Sequence, residues 1–138
     1  MEKSLEFIKR NYSPLVLAYL GDSFYETLAR EYVISDGDCI VSKTNERIKD
    51  IITAVSQSKI VSILLPELDS IETWFYKSGR NARNTHHSKS AEAVEYRRAT
   101  GLEALYGYLY LAGKQDRAKE LFDFAMRELE NQRSGEND

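Results

Sequence analysis

Wound as a helix, residues 100–112, "TGLEALYGYLYLA", are apolar on every side, with a single acid, Glu103, among them. A surface helix carries one apolar stripe, so a helix apolar all round has to be enclosed by others. The rest of the chain supplies them. Ser13 with Pro14 is a helix start, and the run to about Ile34 is broken by "SDGD" at 35–38. A second helical region covers about 39–65, its apolar residues at mixed three- and four-residue spacing, with a break expected between Thr53 and Ser58. Behind Pro66 a further helix is predicted with Leu68, Ile71, Trp74 and Phe75 on its core-facing side. Residues 79–90, "GRNARNTHHSKS", read as an exposed basic loop, after which helix resumes near Ala91. A last amphipathic helix follows Gly113, and "NQRSGEND" at 131–138 is expected to be a disordered tail. The prediction is an all-α bundle around a central buried helix, one domain over 1–130. Its 42% apolar residues are enough for a single core.

Several function classes are excluded or disfavoured. The N-terminus has no apolar stretch followed by small residues, and no window approaches about eighteen uninterrupted apolar residues, so neither secretion nor membrane insertion is expected. The one cysteine, Cys39, allows no internal disulfide and fits a reducing, cytoplasmic setting; no spacing suggests zinc. The chain's net charge of −3 disfavours indiscriminate coating of nucleic acid. A local patch runs the other way. Between Lys77 and Arg98, six basic residues face two acidic ones, +4 in all.

Two acids sit where apolar residues belong. Asp22 lies in "LAYLGDSFYE" among Leu17, Leu20 and Phe24, directly after a glycine that costs a helix interior about 1 kcal/mol relative to alanine. Glu103 lies in the central helix. Small residues stand one turn away from each, Ala18 before Asp22 and Gly107 after Glu103, so two helices could cross closely there with both carboxylates at the crossing. Paired carboxylates repel unless one is protonated or a cation lies between them, and oxygen-only ligation suits magnesium or manganese, with phosphate-ester hydrolysis the natural chemistry. The alternative is that each acid caps a neighbouring backbone or pairs with an arginine. Glu26, one turn beyond Asp22, is a further ligand, a base acting through water or a solvated surface acid.

At these residues "YLGDSFYE" resembles the signature helix of the ribonuclease III endonuclease domain, and "GLEALYGYLYLAG" resembles that domain's other acidic motif. The match is closer still to Mini-ribonuclease III (Mini-III), the branch without a double-stranded-RNA-binding domain, through "GRNAR" at 79–83, "YRRATGLEALYGY" at 96–108 and "VSQSK" at 55–59. The resemblance spans roughly residues 14–124. It implies that Asp22 and Glu103 are the catalytic, metal-binding acids, with Mg2+ as cofactor and Mn2+ as a substitute. Full-length enzymes carry two more carboxylates where this chain has Ala18 and Thr100, so weak magnesium binding completed by RNA phosphate is expected. The resemblance also implies a symmetric homodimer, with Tyr19 at the position of an aromatic that enters the partner; a core tyrosine is the alternative.

What the resemblance implies as activity is magnesium-dependent hydrolysis of both strands of double-stranded RNA, leaving 5′-phosphate ends. The implied substrate is the precursor of large-subunit (23S) ribosomal RNA, with ribosomal proteins as further partners. A-form RNA is read mostly by shape and backbone, and Arg80, Arg83 and Lys89 are the expected phosphate contacts. Arg97 and Arg98 join them unless they pair with acids on neighbouring helices, and His86 and His87 read as exposed loop residues. Two other accounts compete: a non-catalytic duplex-RNA-binding or ribosome-associated dimer of the same fold, and a helical interaction protein that touches no RNA.

Overall fold

In the computed structural model, which describes residues 2–82 and 90–136, the chain forms seven α-helices. They are α1 (Leu5–Asn11), α2 (Pro14–Val33), α3 (Val41–Ile52), α4 (Ala54–Leu64), α5 (Ser70–Arg80), α6 (Ala91–Leu111) and α7 (Gln115–Glu136), with a 3-10 turn at Leu65–Glu67. Side-chain oxygens mark most starts: Ser4, Ser13, Thr53, Asp69 and Ser90 each accept the backbone N–H three residues on. Thr53 therefore both ends α3 and begins α4, which is the break expected between 53 and 58. At the far end of α6, Gly113 at φ +72° lets Lys114 N–H reach the Leu109 carbonyl at 2.8 Å and close the helix in a Schellman turn.

α6 is the axis. Ala99–Leu102 and Ala104–Leu109 are buried, and α2, α5 and α4 pack along it. Aromatic rings fill the space between the helices: Phe75 of α5 stacks on Tyr108 at 4.1 Å, and Tyr25 of α2 meets Tyr106 edge-on at 5.5 Å. The buried hydroxyls are satisfied by carbonyls, Tyr25 donating to Ile51 at 2.8 Å and Tyr106 to Ala118 at 2.9 Å. α7 is tied on by charge as well. Arg117 donates to both carboxylate oxygens of the buried Glu72, at 2.9 and 3.0 Å, and to the Glu67 carbonyl.

Three expectations need correction, and one helix was not expected. Pro66 lies in the 3-10 turn, and α5 starts four residues later at a capping box between Asp69 and Glu72. Its buried face is Glu72, Phe75, Tyr76 and Gly79, whereas Ile71 and Trp74 are exposed. α1, which the periodicity did not reveal, buries Ile8 and brings Lys9 over the Trp74 ring at 4.5 Å. Finally, α7 continues through Glu136, so most of the segment expected as a disordered tail is helical.

Candidate active site

The site is created by a backbone-to-backbone crossing. A methyl group built on Gly21 would overlap the Glu103 carbonyl oxygen outright and stand 2.6 Å from the Gly107 nitrogen. One built on Gly107 would run into the Leu17 carbonyl, whose carbon is 2.7 Å away. No other residue pair allows α2 and α6 to touch this closely, because any β-carbon would hold them apart. Gly21 thus answers to geometry, as the small-residue pattern suggested, and α2 is pinned to α6 at the level of Glu103. Asp22, the next residue, is exposed at the edge of that contact, and the side chain of Glu103 is half-buried beside it. The Asp22 carboxyl is close enough to act on that of Glu103. The expectation that both acids are buried holds only in part: water reaches Asp22.

Burial, then the hydrogen bond to Asp22 and the Asp22 charge, push Glu103 up from an ordinary 4.5 to about 8. A hydrogen bond donated by Gln57 of α4 works in the opposite direction. Glu103 is protonated more readily in the folded chain than in the unfolded one, so the stability it contributes is fully present below about 4.5 and is lost as pH rises through about 8. The melting temperature of the metal-free wild type should therefore fall relative to Glu103→Gln across that window. Thermal melts in chelator over a pH series check it; parallel curves would contradict a raised Glu103.

Two adjacent carboxyl groups, one of them protonated chiefly because it is buried, are hard oxygen donors suited, once ionised, to a divalent cation such as magnesium. Asp22 and Glu103 are the residues that would hold it. No third acid joins them: among the described residues no group of three or more histidine, cysteine or acidic side chains is placed to hold a metal. Glu26 pairs with Arg30 at 3.4 Å, the behaviour of a surface acid. Thr100 is buried and its hydroxyl donates to the Tyr96 carbonyl at 3.0 Å, and Ala18 lies in the core, so neither substitutes for a carboxylate.

The predicted phosphate contacts divide. Arg80 ends α5, its guanidinium 5.6 Å from the Tyr76 ring centre. Arg98 reaches from α6 to the Ser62 hydroxyl of α4 at 2.6 Å, and Arg97 is half-buried on the same turn of α6 and is engaged in an interaction of its own. Arg83, His86, His87 and Lys89 lie outside the described residues. Tyr19 is 83% exposed, which excludes the core reading, and it shares the outer face of α2 with Leu15 and Val16, both exposed. Gln57 of α4 is buried, and the sequence gives it no role beyond its place in "VSQSK".

The family model described as the ribonuclease III domain matches residues 15–114 of this all-helical chain. A Mini-ribonuclease 3 from Clostridium tetani is 36% identical over 138 residues, covering 96% of this chain and 91% of that protein. Another, from Symbiobacterium thermophilum, is 40% identical over 112 residues, covering 81% and 86%. The crystal structure of protein FN1578 from Fusobacterium nucleatum is similar with a TM-score of 0.74 at 31% identity, covering 87% of this chain and 96% of that one. The chain belongs to the Mini-ribonuclease 3 family, a family of ribonuclease III-type endoribonucleases.

Proposed function

We propose that this protein is a magnesium-dependent endoribonuclease that hydrolyses phosphodiester bonds in double-stranded RNA, leaving 5′-phosphate and 3′-hydroxyl ends. Its natural substrate on this reading is the paired end region of the large-subunit (23S) ribosomal RNA precursor. The observation that carries the proposal is the meeting of the Asp22 and Glu103 carboxyls at the α2–α6 crossing. Bound magnesium supplies an acidified water and neutralises charge developing on the phosphate. The chain's residues do the rest. Glu103 gives up its proton and, with Asp22, presents two anionic oxygens at a fixed spacing. Asp22 is exposed, so a duplex backbone has access to the pair. Arg80, Arg97 and Arg98, with Arg83 and Lys89, contribute positive charge toward the backbone.

No activated serine or cysteine is required, because water is the nucleophile. The substrate claim is tested by offering labelled single-stranded RNA, an arbitrary duplex and the paired ends of a large-subunit precursor in one competition. Cleavage of duplexes alone, fastest on the precursor and with 5′-phosphates that a ligase can join, supports the reading. Equal cleavage of single strands overturns it.

The proposal includes a homodimer. Leu15, Val16 and Tyr19 form an exposed apolar stripe on α2 beside Asp22, and a second copy would cover it about a two-fold axis. Antiparallel RNA strands are related by local two-fold axes, so paired protomers offer one site to each strand. Tyr19→Glu should shift sedimentation from dimer to monomer, since a buried aromatic anchor is worth on the order of 2 kcal/mol or more. A wild-type monomer at micromolar concentration would refute the arrangement.

A further inference from the structure

The arginines of this molecule differ in what holds them. Arg30, Arg117 and Arg133 each face a carboxylate, that of Glu26 at 3.4 Å, Glu72 at 2.9 Å and Asp50 at 3.7 Å. Arg98 of α6 does not. Its guanidinium donates at 2.6 Å to the hydroxyl of Ser62 on α4, 36 residues away in the chain, and no ion pair engages it among the described residues. Ser62 is exposed, and its own hydroxyl proton has only the Ser58 carbonyl, 3.5 Å away, which leaves a lone pair for Arg98. A carboxylate at position 62 would cancel the charge it held. A neutral oxygen fixes the guanidinium and leaves that charge to attract an anion. Arg98 precedes Glu103 by five residues, about 7.5 Å along α6 and about 140° around it. It therefore serves a phosphate beside the one that Asp22 and Glu103 would meet.

We propose that Ser62 is a positioning residue for duplex RNA, its hydroxyl holding Arg98 across the seam between α4 and α6 so that the guanidinium is already aimed when a backbone phosphate arrives. This rests on reading the chain as a double-stranded-RNA endonuclease with Arg98 among its phosphate contacts. A free arginine gives up its rotamer freedom when it binds, whereas one ordered beforehand has little left to lose. The difference for one long side chain is about 2- to 10-fold in affinity. It falls on binding and not on the bond-breaking step, because Arg98 stands apart from the two acids.

The test compares Ser62→Ala, Ser62→Thr, Arg98→Gln and the double variant Ser62→Ala/Arg98→Gln. Binding of a fluorescent RNA duplex is followed by anisotropy in chelator over a salt series, and cleavage of the same duplex is followed in magnesium. Ser62→Ala should bind about 2- to 10-fold more weakly and raise KM by the same factor, with kcat unchanged. Ser62→Thr, which keeps the hydroxyl, should behave as wild type. Arg98→Gln should flatten the dependence of log affinity on log salt by about one unit, and adding Ser62→Ala to it should cost nothing further. That last result separates aiming Arg98 from any effect of the hydroxyl by itself. Wild-type affinity in Ser62→Ala, with or without a lowered melting temperature, would make the bond a strut between helices and overturn the assignment. So would an equal loss in both backgrounds. An unchanged salt slope in Arg98→Gln, with the duplex still cut by the wild type, takes Arg98 off the RNA and sinks this proposal alone. A folded wild type that neither binds nor cuts the duplex sinks the proposed function with it.

Discussion

Gly21→Ala should destabilise the protein by at least about 3 kcal/mol, the upper end of what overpacking costs, because the new methyl group meets backbone on every side. The obstructing atoms are the Glu103 carbonyl and the Gly107 nitrogen, which cannot swing aside as a flexible side-chain tip would. Relief requires α2 and α6 to separate along the most extensive helix contact in the molecule. The sign is diagnostic. In an unobstructed helix the same substitution stabilises by up to about 1 kcal/mol. Gly135 of α7, with no atom within 4 Å of its missing β-carbon, supplies that control. Urea unfolding of Gly21→Ala, Gly107→Ala and Gly135→Ala should give two large losses and one neutral or slightly positive change. A mild Gly21→Ala would mean that the helices do not touch as described.

Glu103→Gln carries the largest expected effect on activity. The amide keeps shape and hydrogen-bonding capacity but removes the anion, and charge stabilisation worth several kcal/mol corresponds to a fall in single-turnover cleavage on the order of 10³-fold. Duplex binding measured without metal should stay within a few-fold of wild type, since Glu103 lies half-buried at the crossing and contributes no positive charge toward the RNA. Equal loss of binding and cleavage would instead point to collapse of the crossing, which the melting temperature would reveal.

Most of this arrangement was readable before any coordinates, for reasons that can be named. α6 announced itself because an all-round apolar helix has one place to go, and Ser13 with Pro14 fixed the start of α2 through local capping alone. Asp22 and Glu103 stood out because each broke the pattern around it. What escaped depended on distant partners. The inward face of α5 includes Glu72, which no periodicity rule would turn toward the core; Arg117, 45 residues on, makes that possible. Periodicity alone turns Trp74 inward, because nothing in the sequence foretells α1, whose two turns are too short to show a period, or Lys9 lying over the ring. α7 continues through Glu136, with Arg133 3.7 Å from Asp50 of α3.

The most direct test of the central claim is cleavage of a long, end-labelled RNA duplex by the wild type and Asp22→Asn, each with and without magnesium, alongside single-stranded RNA. The account predicts products only from the wild type, only with magnesium and only from the duplex. A folded wild type that binds the duplex yet leaves it intact at every magnesium and manganese concentration would contradict it, and would make this chain a non-cutting RNA-binding member of its family.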